Sequence, residues 1–477
     1  MKRQTICLAS LLLLSACAIG PDYERPKVTV SATFKEAKDW KPVQPAAVNA
    51  DPAWWSRFND PVLDRLEREV TVNSLTIAQS EAAYRAAMAA AEGAESTLFP
   101  TAGVSGGVTR AKVNPSASSG RSSAVIATDI TAGASASWSL DVWGKLRRQI
   151  EAAKANAEAS AADLAAVRLT VQAALASDYF ALRGADELSS LLNASVAAYE
   201  KSLTITQNQY RAGTAAKSDV DQATTQLEST RVQAIAVEVT RATLEHAIAV
   251  LLGKAPADFS LASVEMGLPS PPDFPVSLPS ILLERRPDVA AAERNMVAAN
   301  AQIGVAWAAY FPSLTLTGST SNASNAFDTL FRASNNVWSF GPSLAETVID
   351  WGARDAALAQ ARANYEGEVA NYRQTVLTAL QQVEDDLISG SRLARESVVE
   401  ERAVQSATEA ERLITNQYKA GTVAYTSVVT AQTAALAARQ SLLTIHQNQL
   451  TNAVALLQAL GGGWGGLGNE VASATEQ

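Results

Sequence analysis

Asn208-Gln-Tyr-Arg-Ala-Gly-Thr214 returns 208 residues later as Asn416-Gln-Tyr-Lys-Ala-Gly-Thr422. Working outward, Trp143-Gly144 returns as Trp351-Gly352 and Leu252-Gly253 as Leu460-Gly461 at the same spacing, while Phe99-Pro100 matches Phe311-Pro312 with a few residues more. One unit has been duplicated, so its order of parts is read twice. Each copy is expected to carry a long helix into the Ala-Gly-Thr turn, where glycine lets the chain reverse, and a shorter helix back.

Proline placement agrees. None occurs from residue 116 to 255 or from 343 to 477, although the chain has 17. A proline inside a helix costs about 3 kcal/mol, so these runs read as helices over about 144–211, 215–252, 352–419 and 423–460. The longer ones would reach roughly 100 Å. Leu164, Val167, Val171, Leu175 and Leu182 recur at helical spacing, as do Val369, Tyr372, Val376, Leu380, Val383 and Leu387.

Ahead of each long helix the period is two. Ile126, Ile130, Ala132, Ala134, Ala136, Trp138 and Leu140 alternate with Asp129, Thr131, Ser135, Ser137, Ser139 and Asp141. Strands are expected over about 101–113, 126–141, 313–320 and 336–348, in two hairpins, the first around a Ser/Gly-rich loop at 114–124. Leu314, Leu316, Trp338, Phe340 and Leu344 form the apolar face of the second. A helical segment, Leu75 to Leu98 or Asp288 to Tyr310, precedes each hairpin and ends in Phe-Pro.

Met1-Lys-Arg3, the apolar run Ile6 to Leu14 and Leu14-Ser-Ala-Cys17 have the pattern of an export signal whose Cys17 is acylated and becomes the mature N-terminus. The chain is therefore read as signal 1–16, first repeat 17–253, Pro-rich connector 254–280, second repeat 281–461 and flexible tail 462–477. Ala18 stands where an aspartate would resemble an inner-membrane retention signal, which favours the outer membrane.

Composition excludes several classes. The chain is 47% hydrophobic but only 6% aromatic, which suits long, closely packed helices. A net charge of −9 without a Lys/Arg cluster argues against nucleic acid. Beyond the first twenty residues no apolar stretch of 18 remains for a membrane helix. Two cysteines and two histidines leave little for a disulfide framework or metal site. His246 and His446 stand alone on helices, and Glu384-Asp-Asp386 reads as a solvated face. Gly461 to Gly468 lacks the strand-turn-helix context of a nucleotide loop. No enzyme activity and no cofactor are expected.

Strands polar on one face and apolar on the other are the signature of an outer-membrane barrel. Four cannot close one, and open edges are not tolerated in hydrocarbon, so several chains must share it. A soluble sandwich is the alternative.

Cys17-Ala-Ile-Gly-Pro-Asp-Tyr-Glu-Arg-Pro26, Trp54-Trp-Ser-Arg-Phe-Asn-Asp-Pro61, Leu282-Leu-Glu-Arg-Arg-Pro-Asp288, Tyr310-Phe-Pro312 and the two Tyr-x-Ala-Gly-Thr turns resemble the TolC-like outer membrane efflux proteins, in particular their lipoprotein branch serving RND-type pumps. The resemblance implies a mainly α fold with a small β part, a duplicated unit of long coiled-coil hairpins plus β-hairpins. It further implies a homotrimer with a twelve-stranded outer-membrane barrel and a twelve-helix periplasmic tunnel, lipid-anchored through Cys17. A periplasmic adaptor and an inner-membrane RND-type pump would complete the exporter, with this chain as the passive duct.

Carried over residue by residue, the resemblance places Tyr210, Arg211, Gly213, Thr214, Ser218, Asp219 and Val220 at the first periplasmic tip, with Tyr418, Lys419, Gly421, Thr422 and Val428 at the second. It implies a latch between Tyr418 and Asp219. Ser427 and Thr430 stand where some members carry an aspartate ring, which leaves Asp219 and Asp221 as candidates for an acidic constriction. Locally, Gly213 and Gly421 are also plain turn residues and Asp219 a helix-start charge. The outlet of a type I protein-secretion system and a periplasmic spacer lipoprotein without a pore remain the alternative functions.

Overall fold

A computed structural model describes residues 18–27, 31, 33–37, 53–113, 125–264, 267–272 and 285–467. The expected signal with Cys17, the hairpin loop 114–124, connector residues 273–280 and the tail from 468 lie outside the described residues. Helices and strands, numbered in chain order, are α1 (Pro61–Asn73), α2 (Leu75–Ser96), β1 (Thr101–Val113), β2 (Val125–Leu140), α3 (Lys145–Arg211), α4 (Lys217–Leu251), α5 (Pro287–Ala308), β3 (Ser313–Ser324), β4 (Asn336–Ala345), α6 (Ala353–Lys419) and α7 (Tyr425–Ala459). The paired helices agree to the residue in length, whereas the strands do not. Helices α2 and α5 have 22 residues each, α3 and α6 have 67, and α4 and α7 have 35.

The chain gathers into two compact units, one of residues 1–27, 84–159 and 292–372, the other of 28–83, 160–291 and 373–477. In the first, the strands form one antiparallel sheet in the order β1-β2-β3-β4. The two expected hairpins are thus joined, because β2 also pairs with β3 from Ile130 opposite Ser324 to Leu140 opposite Leu314. That pairing carries β3 four residues past the expected 320. Strand β4 stops at Ala345 rather than 348, because its partner β3 begins at Ser313, directly opposite Ala345.

The register sets one face apart from the other. Val104 lies opposite Ala134, Trp138 opposite Leu316, and Leu314 opposite Leu344. Apolar side chains therefore share one face while Ser135, Ser137, Thr317 and Ser319 share the other. Val104, Phe340 and Leu344 remain exposed in the chain by itself. At the end of β2, Asp141 accepts the Leu146 and Arg147 N–H groups at 2.9 and 3.0 Å, satisfying free donors at the start of α3. Asp350 does the same for Gly352 and Arg354 ahead of α6. Helix α3 meets α5 through alanines, Ala152 and Ala155 against Ala298 and Ala301, a contact that larger side chains would hold apart.

In the second unit, Leu192 and Tyr199 of α3, Leu227 and Val237 of α4 and Leu436 of α7 form a core. Arg286 explains part of the Arg-Pro-Asp motif. Its guanidinium donates to both Asp288 oxygens at 2.9 and 2.6 Å, to Gln382 at 2.8 Å and to the Ala459 carbonyl at 3.2 Å, serving the C-terminal end of α7. Helix α1 was not foreseen, although Asp60-Pro61 is a start signal. Asp60 accepts the Val62 and Leu63 N–H groups at 2.8 and 3.1 Å and the Tyr179 hydroxyl at 2.6 Å.

On α1, Glu67 is fully buried, and its carboxylate oxygens find no hydrogen-bond partner among the described residues. Burial, with the nearby Asp64 charge, pushes its pKa up to about 9. The folded chain thus holds a proton that the unfolded chain releases above about pH 4.5. Stability attached to this group is full below that pH and is lost progressively as pH rises toward 9. Glu67→Gln, which cannot ionise, is expected to raise the unfolding midpoint followed by circular dichroism at pH 8 and to leave it unchanged at pH 4.

Candidate functional site at the paired turns

The two sequence-identified turns close in the same way. After α3 the Gly213 N–H donates to the Tyr210 carbonyl at 3.0 Å and the Thr214 N–H to the Gln209 carbonyl at 2.9 Å. After α6, Gly421 donates to Tyr418 at 2.9 Å and Thr422 to Gln417 at 3.0 Å. This is the Schellman closure, with its glycine left-handed at φ +78° and +74°. The Thr214 and Thr422 hydroxyls donate to the same Gln209 and Gln417 carbonyls, at 3.1 and 3.0 Å, which accounts for the threonine in both copies. Gly213, Thr214, Ser218, Lys419, Gly421 and Thr422 are exposed.

Beneath the turns the copies differ. Tyr418 and Tyr425 are buried and meet edge to face, with ring centroids 5.1 Å apart, against Ala223 and Val428. The Tyr418 hydroxyl donates to Thr206 at 3.4 Å, and the Tyr425 hydroxyl shares a hydrogen bond with Ser202 at 3.2 Å. The turn between α6 and α7 is thereby fastened to α3. Tyr210, the counterpart of Tyr418, is exposed.

The implied hydrogen bond from Tyr418 to Asp219 is not made within the chain. Asp219 stands at the third position of α4, where its carboxylate accepts the Ala216 N–H at 3.4 Å while its own N–H donates to the Ala216 carbonyl at 3.1 Å. This reciprocal cap is the local demand on an acidic residue there. Asp219 still lies near enough for its charge to act with burial, the larger cause, in raising the Tyr418 pKa. Asp221 pairs with Lys217 at 2.6 Å, and Arg211 donates to Asn208 at 3.1 Å.

Sequence reading missed Thr206, Ser202 and Tyr425. The signal was available, because the counterpart of Tyr425 in the first copy is Lys217, and a tyrosine present in one copy only marks a broken symmetry. Of Glu384-Asp-Asp386, Asp385 is exposed, as the solvated reading expects, while Glu384 and Asp386 are half-buried. Glu384 accepts the Lys35 and Glu36 N–H groups at 2.7 and 2.9 Å, and burial followed by the Asp385 charge pushes the Asp386 pKa up to about 6.

A family profile described as outer membrane efflux protein matches residues 66–254 and again 278–462, once for each repeat. The chain belongs to that family. Toluene efflux pump outer membrane protein TtgC of Pseudomonas putida is 30% identical over 475 residues, covering 97% of this chain and 96% of the relative. The probable outer membrane lipoprotein SilC of Salmonella typhimurium is 28% identical over 466 residues, covering 97% and 99%. Among solved structures, the outer-membrane channel OprN matches with a TM-score of 0.86 at 28% identity, covering 94% of this chain and 100% of that one. The open-state MtrE outer membrane channel of Neisseria gonorrhoeae gives 0.81 at 27%, covering 94% and 98%. This efflux protein is an outer membrane channel component, and its sheet is the part suited to the membrane.

The Tyr418 and Tyr425 side-chain hydrogen bonds of this efflux protein are long and neutral, so Tyr418→Phe is expected to cost at most about 1 kcal/mol. Tyr418→Ala also removes the ring packed on Tyr425 and should cost more than twice that. Amide hydrogen exchange over residues 414–429 checks the order: Ala should be clearly the faster, Phe close to the parent.

Proposed function

We propose that three copies of this chain close a twelve-stranded barrel in the outer membrane and continue as a helical periplasmic tunnel, forming a passive duct for small compounds delivered by an inner-membrane RND-type pump through a periplasmic adaptor. The carrying observation is a sheet whose apolar residues share one face while β1 and β4 lie at its two outer edges. Such a sheet suits hydrocarbon on one side and a water-filled bore on the other, once neighbouring sheets pair with its edges. Exposed Val232, Ile235 and Val239 on α4 and Val398, Val399 and Leu413 on α6 suit further helix contacts between copies.

Cys17 is proposed as the lipid anchor. Ala18, the next residue, lies against Gly144, where β2 gives way to α3; a β-carbon on Gly144 would stand 2.6 Å from the Ala18 Cα. The Ile19 N–H donates to the Trp143 carbonyl at 3.1 Å. On this reading Ala18, held beside the strand ends, lies at the edge of the bilayer. The turns carrying Tyr210, Arg211, Gly213, Thr214 and Ser218, and Lys419, Gly421 and Thr422, are proposed as the adaptor-facing tip. Tyr418, Asp219 and Asp221 are proposed as gate residues. The duct carries out no covalent chemistry and requires no cofactor.

Purified protein is expected to be trimeric in detergent and to form ion-conducting pores in planar bilayers, with Tyr418→Ala raising single-channel conductance. A monomer, or bilayers that stay silent, would sink the reading.

A further inference from the structure

The duplication offers a template for the contact between copies. Within one chain, Trp143 of the first repeat, between β2 and α3, locks onto Phe311-Pro312 of the second. Its indole N–H donates to the Pro312 carbonyl at 2.8 Å, and its ring stacks on Phe311 with centroids 4.9 Å apart and planes 27° from parallel. This lock closes the junction between β2 and β3. Trp351 is the counterpart of Trp143, and Phe99-Pro100 is the counterpart of Phe311-Pro312. Both counterparts are bare: Trp351 is 96% exposed and Phe99 67%. Trp351 also holds a left-handed φ of +55°, costly for a bulky residue. Val348 and Ile349, just before it, are exposed as well.

We propose that Trp351 docks on Phe99-Pro100 of a second copy, and that β4 thereby pairs with β1 of that copy with Val348 opposite Ala102. This rests on the three-chain barrel proposed above and adds its register and its lock. The register follows from the template. Leu140 stands three residues before Trp143 and lies opposite Leu314, two residues after Pro312. The corresponding residues are Val348, three before Trp351, and Ala102, two after Pro100. An independent check is that this choice puts Leu344 opposite Gly106, so the face of β4 bearing Phe340 and Leu344 continues into the face of β1 bearing Val104. A slip of one residue would turn those faces to opposite sides. The register also extends β4 through 346–348, residues that have no strand across from them within the chain.

Directly opposed residues on antiparallel strands lie within disulfide reach, whereas neighbours one residue out of step point to opposite faces. Full-length protein carrying Val348→Cys with Ala102→Cys is expected to give covalent trimers after oxidation and denaturation, each single variant being the control. Ile349→Cys with Ala102→Cys should give none. Trp351→Ala should lower the temperature at which the trimer falls to monomers in SDS, although the indole is almost bare within its own chain. A trimer in which the slipped pair cross-links instead, or neither pair does, or whose dissociation temperature is unmoved by Trp351→Ala, overturns this docking and leaves the barrel standing. A protein that is monomeric by light scattering removes both.

Discussion

A four-stranded antiparallel sheet leaves the outer backbone groups of its first and last strands without a ladder partner. In water they are hydrated, but in hydrocarbon each unpaired group costs several kcal/mol, a penalty that the burial of a few side chains does not offset. The apolar face here, with Val104, Trp138, Phe340 and Leu344 in register, suits hydrocarbon. Together these demand that the edges be paired by other strands. Chain duplication meets the demand economically: one edge comes from each repeat, and the β2–β3 junction shows that strands of the two repeats can pair.

Duplication also explains which features are shared and which are not. Helix lengths and glycine closures agree between copies, since they follow from local sequence: the absence of proline, a left-handed glycine and a threonine reaching back. Surroundings do not agree. Tyr418 is buried against α3 while Tyr210 is exposed, and Trp143 is stacked while Trp351 is bare. Each repeat meets a different neighbour within the chain, so equivalent residues carry different loads. The alanine-rich composition fits this architecture, since Ala152 and Ala155 meet Ala298 and Ala301 where helix backbones run close.

Much of this was legible in the sequence because it is periodic or punctuated. Period-two alternation located the strands, and the repeated Ala-Gly-Thr located the turns. What escaped reading depends on contacts distant in sequence. Pairing between β2 and β3 spans a connection of more than 170 residues, from Leu140 to Ser313, which no local pattern announces. The end of β4 was set too late because residues 346–348 keep the strand pattern but have no partner inside the chain. Tyr425 and Ser202 look ordinary on helices and matter only because α3 and α7 bring them together. Asp219 was legible in its local role, since the charge expected at a helix start accepts the Ala216 N–H at 3.4 Å.

On the proposed gating, the strength of the bonds separates the part that stays shut from the part that opens. Pairing of β2 with β3 runs unbroken from Ile130 to Leu140, and its hydrogen bonds are lost together if the strands part. Tyr418, one of the proposed gate residues, and its neighbour Tyr425 are held by two long side-chain hydrogen bonds at 3.4 and 3.2 Å and one aromatic contact, each worth about 1 kcal/mol. A partner that bound the open tip a hundredfold more tightly than the closed one would supply about 2.8 kcal/mol, comparable to that sum. On the proposed gating, conformational change falls at the exposed glycine turns, where a modest differential affinity suffices, and not at the sheet, where it would expose backbone to lipid.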